Sequence, residues 1–143
     1  MRRILAIDPG ANGGFAWIDE DGIVHAQKMP DGMTAIADRI VELKHQGATE
    51  AVMEKVGGYM PGNSGPAAAT FARHCGHLDA TLYCAGLPCE LVAPTVWQRP
   101  MNLPKDKKQR KAAIKETMQR RYPHLRVTLS TADALAILTY FLK

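Results

Sequence analysis

The chain of 143 residues is 46% hydrophobic and 22% charged, an ordinary balance for one globular domain spanning residues 1–143. No apolar run approaches the length that spans a bilayer, so we expect no membrane association and a cytoplasmic location. The cysteines lack the CxxC spacing of zinc sites and lie in apolar segments, which predicts buried, reduced thiols at Cys75, Cys84 and Cys89.

Three short strands are predicted near the start of the chain. Residues 3–8 are apolar and end at Pro9-Gly10, which cannot continue a strand. Residues 13–18 and 23–29 are separated by Asp-Glu-Asp-Gly, a hairpin turn signal. Strands in such close succession must be mostly antiparallel, because a parallel pair needs a long crossover.

A helix follows, which Asp31 or Thr34 can cap and which ends near Gly47. Residues 51–54 then form a short buried strand. The order strand, helix, strand implies a right-handed crossover, which makes this strand parallel to an earlier one.

Helices and a strand alternate in the second half of the chain. They are a helix from Asn63 or Ser64 to Gly86, a strand at residues 90–92, a basic helix at residues 106–121, and a helix at residues 132–142 capped by Ser130 or Thr131. The whole order predicts an α/β fold: a mixed five-stranded sheet, with three antiparallel strands and then two parallel ones, and helices on both faces.

Positive charge is concentrated in one part of the chain. The net charge is +4, but residues 99–126 hold ten Lys or Arg against two acids, a local sum of +8. A block this lopsided indicates a polyanionic partner such as nucleic acid, with a solvated helix face as the plainer alternative.

Three acids fall at positions that this topology would bring together. Asp8 ends the first strand, Glu54 ends the fourth, and Asp133 lies in the first turn of the last helix. Neighbouring strands lie about 4.8 Å apart, and α/β sheets bind ligands at the carboxyl ends of their strands. Clustered carboxylates repel each other unless a cation lies between them, which predicts a site for Mg²⁺ or Mn²⁺. Two such ions can activate a water for phosphodiester hydrolysis, so these acids are candidate metal-binding and catalytic residues of a nuclease.

Each acid also has a plainer interpretation. Asp8 can satisfy backbone N–H groups of the following turn, Glu54 can be a solvated strand end, and Asp133 can stabilise a helix N-terminus. Together these interpretations are weaker, because an uncompensated acid beside the apolar residues 134–138 is costly.

The same segments resemble one known family. Ile-Leu-Ala-Ile-Asp-Pro-Gly at residues 4–10, followed by Gly-Gly-Phe-Ala at residues 13–16, resembles the opening of the RuvC family of Holliday junction resolvases, in the RNase H-like superfamily. Val-Met-Glu at residues 52–54 is similar to the family's second acidic strand. Thr-Ala-Asp-Ala-Leu-Ala-Ile at residues 131–137 is similar to the helix that closes its site. Pro-Thr-Val-Trp at residues 94–97 and the lysine-rich helix also fit, particularly the viral branch.

The resemblance implies an endonuclease that resolves four-way DNA junctions as a homodimer, by paired symmetric nicks, inside a bacterial or host cell. The three acids would hold two Mg²⁺ ions, for which Mn²⁺ should substitute, and no organic cofactor is implied. Family members commonly carry Asp or His three positions before the last acid. This chain has Ser130 there, which is a poorer, neutral ligand or only a helix cap. Lys107 and Lys108 best match the family's lysines near the scissile phosphate, where an ammonium stabilises developing charge.

Further residues are candidate DNA contacts. Basic side chains would bind phosphates without reading sequence, namely Arg99, Lys105, Lys107, Lys108, Lys111 and Lys115. Tyr59 could stack on an exposed base or be an ordinary loop tyrosine. Trp97 is predicted to be a hydrophobic anchor, and His74 and His77 to be surface or satisfied residues. Residues 66–84 form an alanine-rich helix that could be a dimer surface or part of the core.

Other functions remain open from the sequence. An RNase H-like nuclease acting on flaps, forks or RNA–DNA hybrids would use the same acids. In a non-catalytic nucleic-acid-binding module the acids would be structural. An ATP-binding domain of the actin and sugar-kinase type also opens with a strand, an Asp and glycines, but it needs two lobes, and 143 residues supply one.

Overall fold

A computed structural model describes residues 2–56 and 65–142. The strands and α-helices are, in chain order, β1 (Ile4–Asp8), β2 (Gly14–Ile18), β3 (Val24–Lys28), α1 (Met33–His45), β4 (Glu50–Glu54), α2 (Gly65–Cys84), β5 (Cys89–Val92), α3 (Pro94–Gln98), α4 (Lys107–Arg121) and α5 (Leu129–Phe141). A turn of 3-10 helix, Arg99–Met101, follows α3. None of these described helices combines the length and the apolar character needed to cross a membrane.

The five strands form one mixed sheet in the order β3-β2-β1-β4-β5. β1 is antiparallel to β2, which is antiparallel to β3, whereas β1 and β4, and β4 and β5, are parallel. The predicted fold class is therefore confirmed. Because Ile7 pairs with Met53, the next and last residues of these two neighbouring strands, Asp8 and Glu54, lie side by side at the carboxyl ends of β1 and β4.

Alternation along the strands divides the core into two layers. Ile4 and Ala6 of β1 pack in a cluster with residues of α3, α4 and α5. Leu5 and Ile7 pack in a second cluster with residues of α1 and α2. Asp8 shares the alternation phase of Ile4 and Ala6, so its side chain projects toward the α5 side of the sheet.

Gly14 allows α5 to lie directly on the sheet. A Cβ at this position would lie 2.6 Å from the carbonyl oxygen of Ser130 and 2.7 Å from that of Gln27, closer than any side chain tolerates. The absence of a side chain at Gly14 thus lets the start of α5 approach β2. This contact brings Asp133 within reach of the end of β1.

The predicted caps of two helices are wrong. α1 begins at Met33, and Gly32 occupies its cap position with a φ of 94°, a conformation that suits glycine rather than Asp31 or Thr34.

At α5 the error lies in the start of the helix, since α5 begins at Leu129 and its cap residue is Thr128 rather than Ser130 or Thr131. The Thr128 backbone N–H donates to Thr131 Oγ1 at 3.1 Å, which ties the residue before the helix to its first turn. Asp133 therefore lies in the second turn and not in the first. The proposed caps Asn63 and Ser64 of α2 fall outside the described residues.

The prediction of buried thiols is also wrong for two of the three cysteines. All three are free, but Cys84 and Cys89 are exposed and Cys75 is half-buried. Cys84 ends α2, where the helix leaves the core, and Cys89 lies on β5 at the edge of the sheet. An apolar sequence neighbourhood does not bury a residue at the end of a helix or on an edge strand.

Candidate metal centre and nucleic-acid interface

The structure brings the three predicted acids together. Asp8 from β1, Glu54 from β4 and Asp133 from α5 each offer a carboxylate oxygen, and these oxygens all lie within 4.8 Å of one another. All three side chains are partly buried. Since Asp133 lies in the second turn of α5, beyond the range of the helix dipole, stabilising the helix N-terminus does not explain it.

Burial raises the pKa of all three acids, and repulsion from neighbouring acids adds to the rise for Asp8 and Glu54. Burial, together with the charges of Asp133 and Glu54, raises the pKa of Asp8 from 3.8 to about 8. Burial and the charge of Asp133 raise the pKa of Glu54 from 4.5 to about 7. Burial also raises the pKa of Asp133, against the opposing charges of Lys111 and Arg110. A bound cation would favour the ionised forms and remove the repulsion.

The donor set fits a hard divalent cation. Three carboxylates that can approach a common point offer only oxygen ligands, which Mg²⁺ and Mn²⁺ prefer. No sulfur or imidazole belongs to this cluster of described residues, which argues against a zinc site. Among the described residues, no other group of three His, Cys, Asp or Glu comes close enough to hold an ion.

Trp97 contacts the cluster directly, a role that its sequence context did not reveal. Its side chain is 1% exposed, so the predicted hydrophobic anchor is confirmed. In addition, its Nε1–H donates to Glu54 Oε2 at 3.2 Å, and this hydrogen bond opposes the rise in the pKa of Glu54. The available signal was topological: β5 pairs Val92 with Glu54, and α3 starts two residues later.

A cavity of about 320 Å³ opens beside Asp8 and Asp133, with Asn12, Lys111 and Ser130 on its wall. Lys111 opposes the rise in the pKa of both acids by its positive charge. The sequence predicts Lys111 only as a DNA contact. The sequence does not show which face of α4 carries Lys111 toward the acids. It also does not indicate Asn12, because the path of the β1–β2 turn cannot be read from the pattern.

Ser130 lies in the first turn of α5, three residues before Asp133, and lines the same cavity. Its hydroxyl forms no hydrogen bond with any residue that the structure describes, and it does not cap the helix. The side chain thus stands beside the acids with a neutral oxygen still available.

The predicted DNA-binding cations are exposed at and near α4. In the described part of the chain none of them takes part in an ion pair: Arg99, Lys105, Lys107, Lys108, Lys111 and Lys115. Lys107 and Lys108 occupy the first turn of α4, one turn before Lys111. Exposed cations without ion-pair partners are available to bind the phosphates of a polyanion. Tyr59 lies outside the described residues.

The two histidines of α2 differ. The backbone N–H of Gly10 donates to His74 Nε2 at 2.9 Å, so His74 is satisfied as predicted and braces the turn after Asp8. Burial, helped by the charge of His77, lowers the pKa of His74, which keeps the accepting form. For His77 the prediction is wrong, because its buried Nδ1 has no hydrogen-bond partner among the described residues.

Solved structures with this arrangement of strands and helices are known. A structure described as Thermus thermophilus RuvC in complex with Holliday junction substrate matches with a TM-score of 0.66 at 16% identity, over 98% of this chain and 92% of that chain. The chain has the RuvC fold. A second Thermus thermophilus RuvC structure gives a TM-score of 0.61 at 16% identity, over 96% of this chain and 92% of that one. No protein-family model and no curated protein matches the sequence.

Proposed function

We propose that this protein is a divalent-metal-dependent endonuclease that resolves four-way DNA junctions, related to the RuvC resolvases and their viral branch. The observation that carries the proposal is the cluster of Asp8, Glu54 and Asp133, whose ligand oxygens lie within 4.8 Å of one another. Exposed lysines of α4 lie on the same side of the sheet, and the charge of Lys111 reaches both Asp8 and Asp133. The choice of a branched substrate is supported by the shared fold with a RuvC structure in complex with Holliday junction substrate.

In this proposal the three acids hold two Mg²⁺ ions, or Mn²⁺ in their place. When bound, such ions lower the pKa of an attacking water and stabilise charge on the leaving oxygen of a phosphodiester. Trp97 fixes one oxygen of Glu54, so that the carboxylate keeps its orientation while the acids ionise. Ser130 adds a neutral oxygen three positions before Asp133, where RuvC enzymes commonly carry Asp or His.

Charge that develops on the reacting phosphate needs a nearby cation. The sequence favours Lys107 or Lys108 for this task, and we propose Lys111 as the stronger candidate. Lys111 lines the cavity that contains Asp8 and Asp133, and its charge reaches both acids. Lys107 and Lys108 would then hold flanking phosphates.

The remaining cations would place the junction over the acids. Arg99, Lys105 and Lys115 are exposed around the basic helix and would contact phosphates rather than bases. Tyr59 belongs to the same proposal as a side chain that stacks on an exposed base at the branch point.

Paired nicks require two active sites, so we propose a homodimer. The helix α2 is the proposed contact surface. Only Leu78 and Leu82 of its residues are buried in the chain, whereas Tyr83 is 85% exposed. A helix with a mostly uncovered apolar and alanine-rich face is suited to pack against a second copy of itself.

The decisive experiment compares end-labelled four-way junction, replication fork and linear duplex, with Mg²⁺ or with chelator. We expect symmetric nicks in the junction only, and only with Mg²⁺. Asp8→Asn should abolish the nicks but retain DNA binding, while Asp38→Asn, on the exposed side of α1, should change neither.

Other outcomes would count against the proposal in different ways. Equal cutting of linear duplex would refute junction selectivity, and preferred cutting of forks or RNA–DNA hybrids would favour a related nuclease. Cutting in chelator would refute the metal-dependent chemistry. Junction binding without any cleavage, unchanged in Asp8→Asn, would identify a binding module instead.

A further inference from the structure

We propose that a second cavity binds the sugar-phosphate backbone of the DNA strand that is cut at the acids, at nucleotides beyond the cut. This cavity lies on the opposite side of the β1–β2 turn from α5. This inference rests on the proposed function. The cavity measures about 570 Å³ and lies between the β3–α1 connection and α2. Its polar wall includes Asn12, Lys28, Asp31, Arg73, His74 and His77.

The position of this cavity connects it to the acid cluster. Lys28 pairs with Gly14 across β3 and β2, and Gly14 pairs with Asp8 across β2 and β1. All three residues therefore lie in one row across β1, β2 and β3, at the end of the sheet that carries Asp8. Asn12, which is exposed on the β1–β2 turn, lines both this cavity and the one that contains Asp8. A strand held at the acids can continue past Asn12 into the second cavity without leaving the protein surface.

The charge of the cavity suits phosphate. Lys28 and Arg73 are exposed, and neither takes part in an ion pair within the described ranges 2–56 and 65–142. Asp31 is the one acid among the lining residues that the structure describes. Two lysine or arginine side chains against one carboxylate leave a net positive wall.

The floor of the cavity is apolar. Met29 is 5% exposed and Ile36 is 4% exposed, and both line it. An apolar floor beneath a cationic rim matches a nucleotide backbone, in which weakly polar deoxyribose alternates with phosphate. Such a site would hold DNA without reading bases, because backbone contacts carry no direct sequence information.

The consequence is that DNA would be gripped on two sides of the acids. The basic helix α4 packs on the α5 side of the sheet, whereas α2 packs on the opposite side. Phosphates on one side of the cut would meet α4, and those on the other side would meet Lys28 and Arg73. The concentration of charge in residues 99–126 gives no sign of this second contact.

The test is the salt dependence of junction binding in an Asp8→Asn background, which prevents cutting. The double variant Lys28→Ala/Arg73→Ala should lower the slope of log affinity against log salt by about 1.8, since each lost phosphate contact removes about 0.9. The control Arg2→Ala/Lys44→Ala also removes two positive charges, but at the opposite end of the strands. There Arg2 pairs with Glu50 and Lys44 contacts the Gly86 carbonyl. Its slope should stay at the parent value.

Phosphate-ethylation interference then locates the contact. In the parent protein, ethylation on both sides of the cut should interfere with binding, and the double variant should lose the interference on one side only. If the double variant has the same slope as the control, or the same interference pattern as the parent, the inference is overturned even if the protein resolves junctions. If the wild-type protein cuts no junction but the double variant still loses the slope, the proposed function fails and the DNA-binding cavity stands.

Discussion

The indole Nε1–H of Trp97 donates a hydrogen bond to Glu54 Oε2 at 3.2 Å, which links α3 to the acid that ends β4. Trp97→Phe keeps most of the buried volume but removes this donor. The pKa of Glu54 should rise further, because the lost hydrogen bond favours the ionised form. We expect Mg²⁺ binding near neutral pH to weaken by about tenfold, equivalent to about 1.4 kcal/mol, as measured by calorimetry.

Trp17→Phe is the matched control for this substitution. The Trp17 ring stacks on His25 with ring centroids 5.6 Å apart and belongs to β2, away from the acids. Its Mg²⁺ affinity should remain that of the wild type. An equal loss in both variants would show that Trp97 acts only through general stability.

The metal-free protein should lose stability as the pH rises. Asp8 and Glu54 have pKa values of about 8 and about 7 when folded, against 3.8 and 4.5 for the free side chains. Between these limits the folded protein binds more protons than the unfolded chain, so the free energy of unfolding falls with pH and levels off above about 8. Thermal melting in chelator from about pH 5 to about pH 8.5 should show a falling midpoint.

Mg²⁺ should reverse this trend, because it binds the ionised acids and displaces their protons. The increase in melting temperature caused by Mg²⁺ should therefore grow with pH. Asp8→Asn should flatten the metal-free profile, whereas Asp38→Asn should retain it. A metal-free midpoint that rises with pH would contradict the pKa assignments.

Substitution of single lysines decides which one serves the reacting phosphate. Lys111→Met should lower kcat for junction cleavage by about a hundredfold, the usual effect of removing one charge-stabilising group, with little change in junction affinity. Lys108→Met should mainly weaken binding at higher salt. The reverse pattern, measured by single-turnover cleavage and by binding, would favour the lysine expected from the sequence.

His74 should position the turn after Asp8 through its hydrogen bond with the Gly10 N–H. His74→Gln can keep a side-chain acceptor there, whereas His74→Leu cannot. We expect His74→Leu to lower kcat by about tenfold to a hundredfold, because small displacements of catalytic groups are costly. Recovery of kcat in His74→Gln would distinguish positioning from simple packing, and equal losses in both variants would contradict it.

Ser130 tests the number of metal ligands. Ser130→Ala should retain cleavage within about tenfold, while Asp133→Asn should abolish it, because a neutral hydroxyl is a weak ligand compared with a carboxylate. Ser130→Asp should tighten Mg²⁺ binding and lower the metal-free melting temperature, since it adds a fourth like charge. Full loss of activity in Ser130→Ala would make the hydroxyl an essential ligand.

The mixed sheet, with three antiparallel strands and then two parallel ones, and the meeting of Asp8 with Glu54 could be predicted because apolar alternation and short connections leave few topologies. The start of α5 could not, because it depends on the backbone at Thr128 and on its hydrogen bond with Thr131. The sequence predicts buried thiols at Cys84 and Cys89, but both are exposed, because burial depends on where the helices and strands lie in the layers.

Side-chain reach accounts for the functional residues that the sequence did not reveal. The hydrogen bond from Trp97 to Glu54 crosses 43 positions of the chain, and the one from Gly10 to His74 crosses 64. No local pattern records such contacts. The sequence does not distinguish Lys111 from its basic neighbours, because it does not show which face of α4 packs toward α5.

Because Asp8 and Asp133 are far apart in the sequence, the acid cluster is completed late in the synthesis of the chain. A nascent chain that has completed β1 and β4 holds two of the three acids, and the third arrives only when α5 has been made and has settled over Gly14. A partly synthesised chain, or one in which α5 has detached, therefore lacks the complete cluster. The proposed cutting activity would therefore begin only after α5 has folded over the sheet.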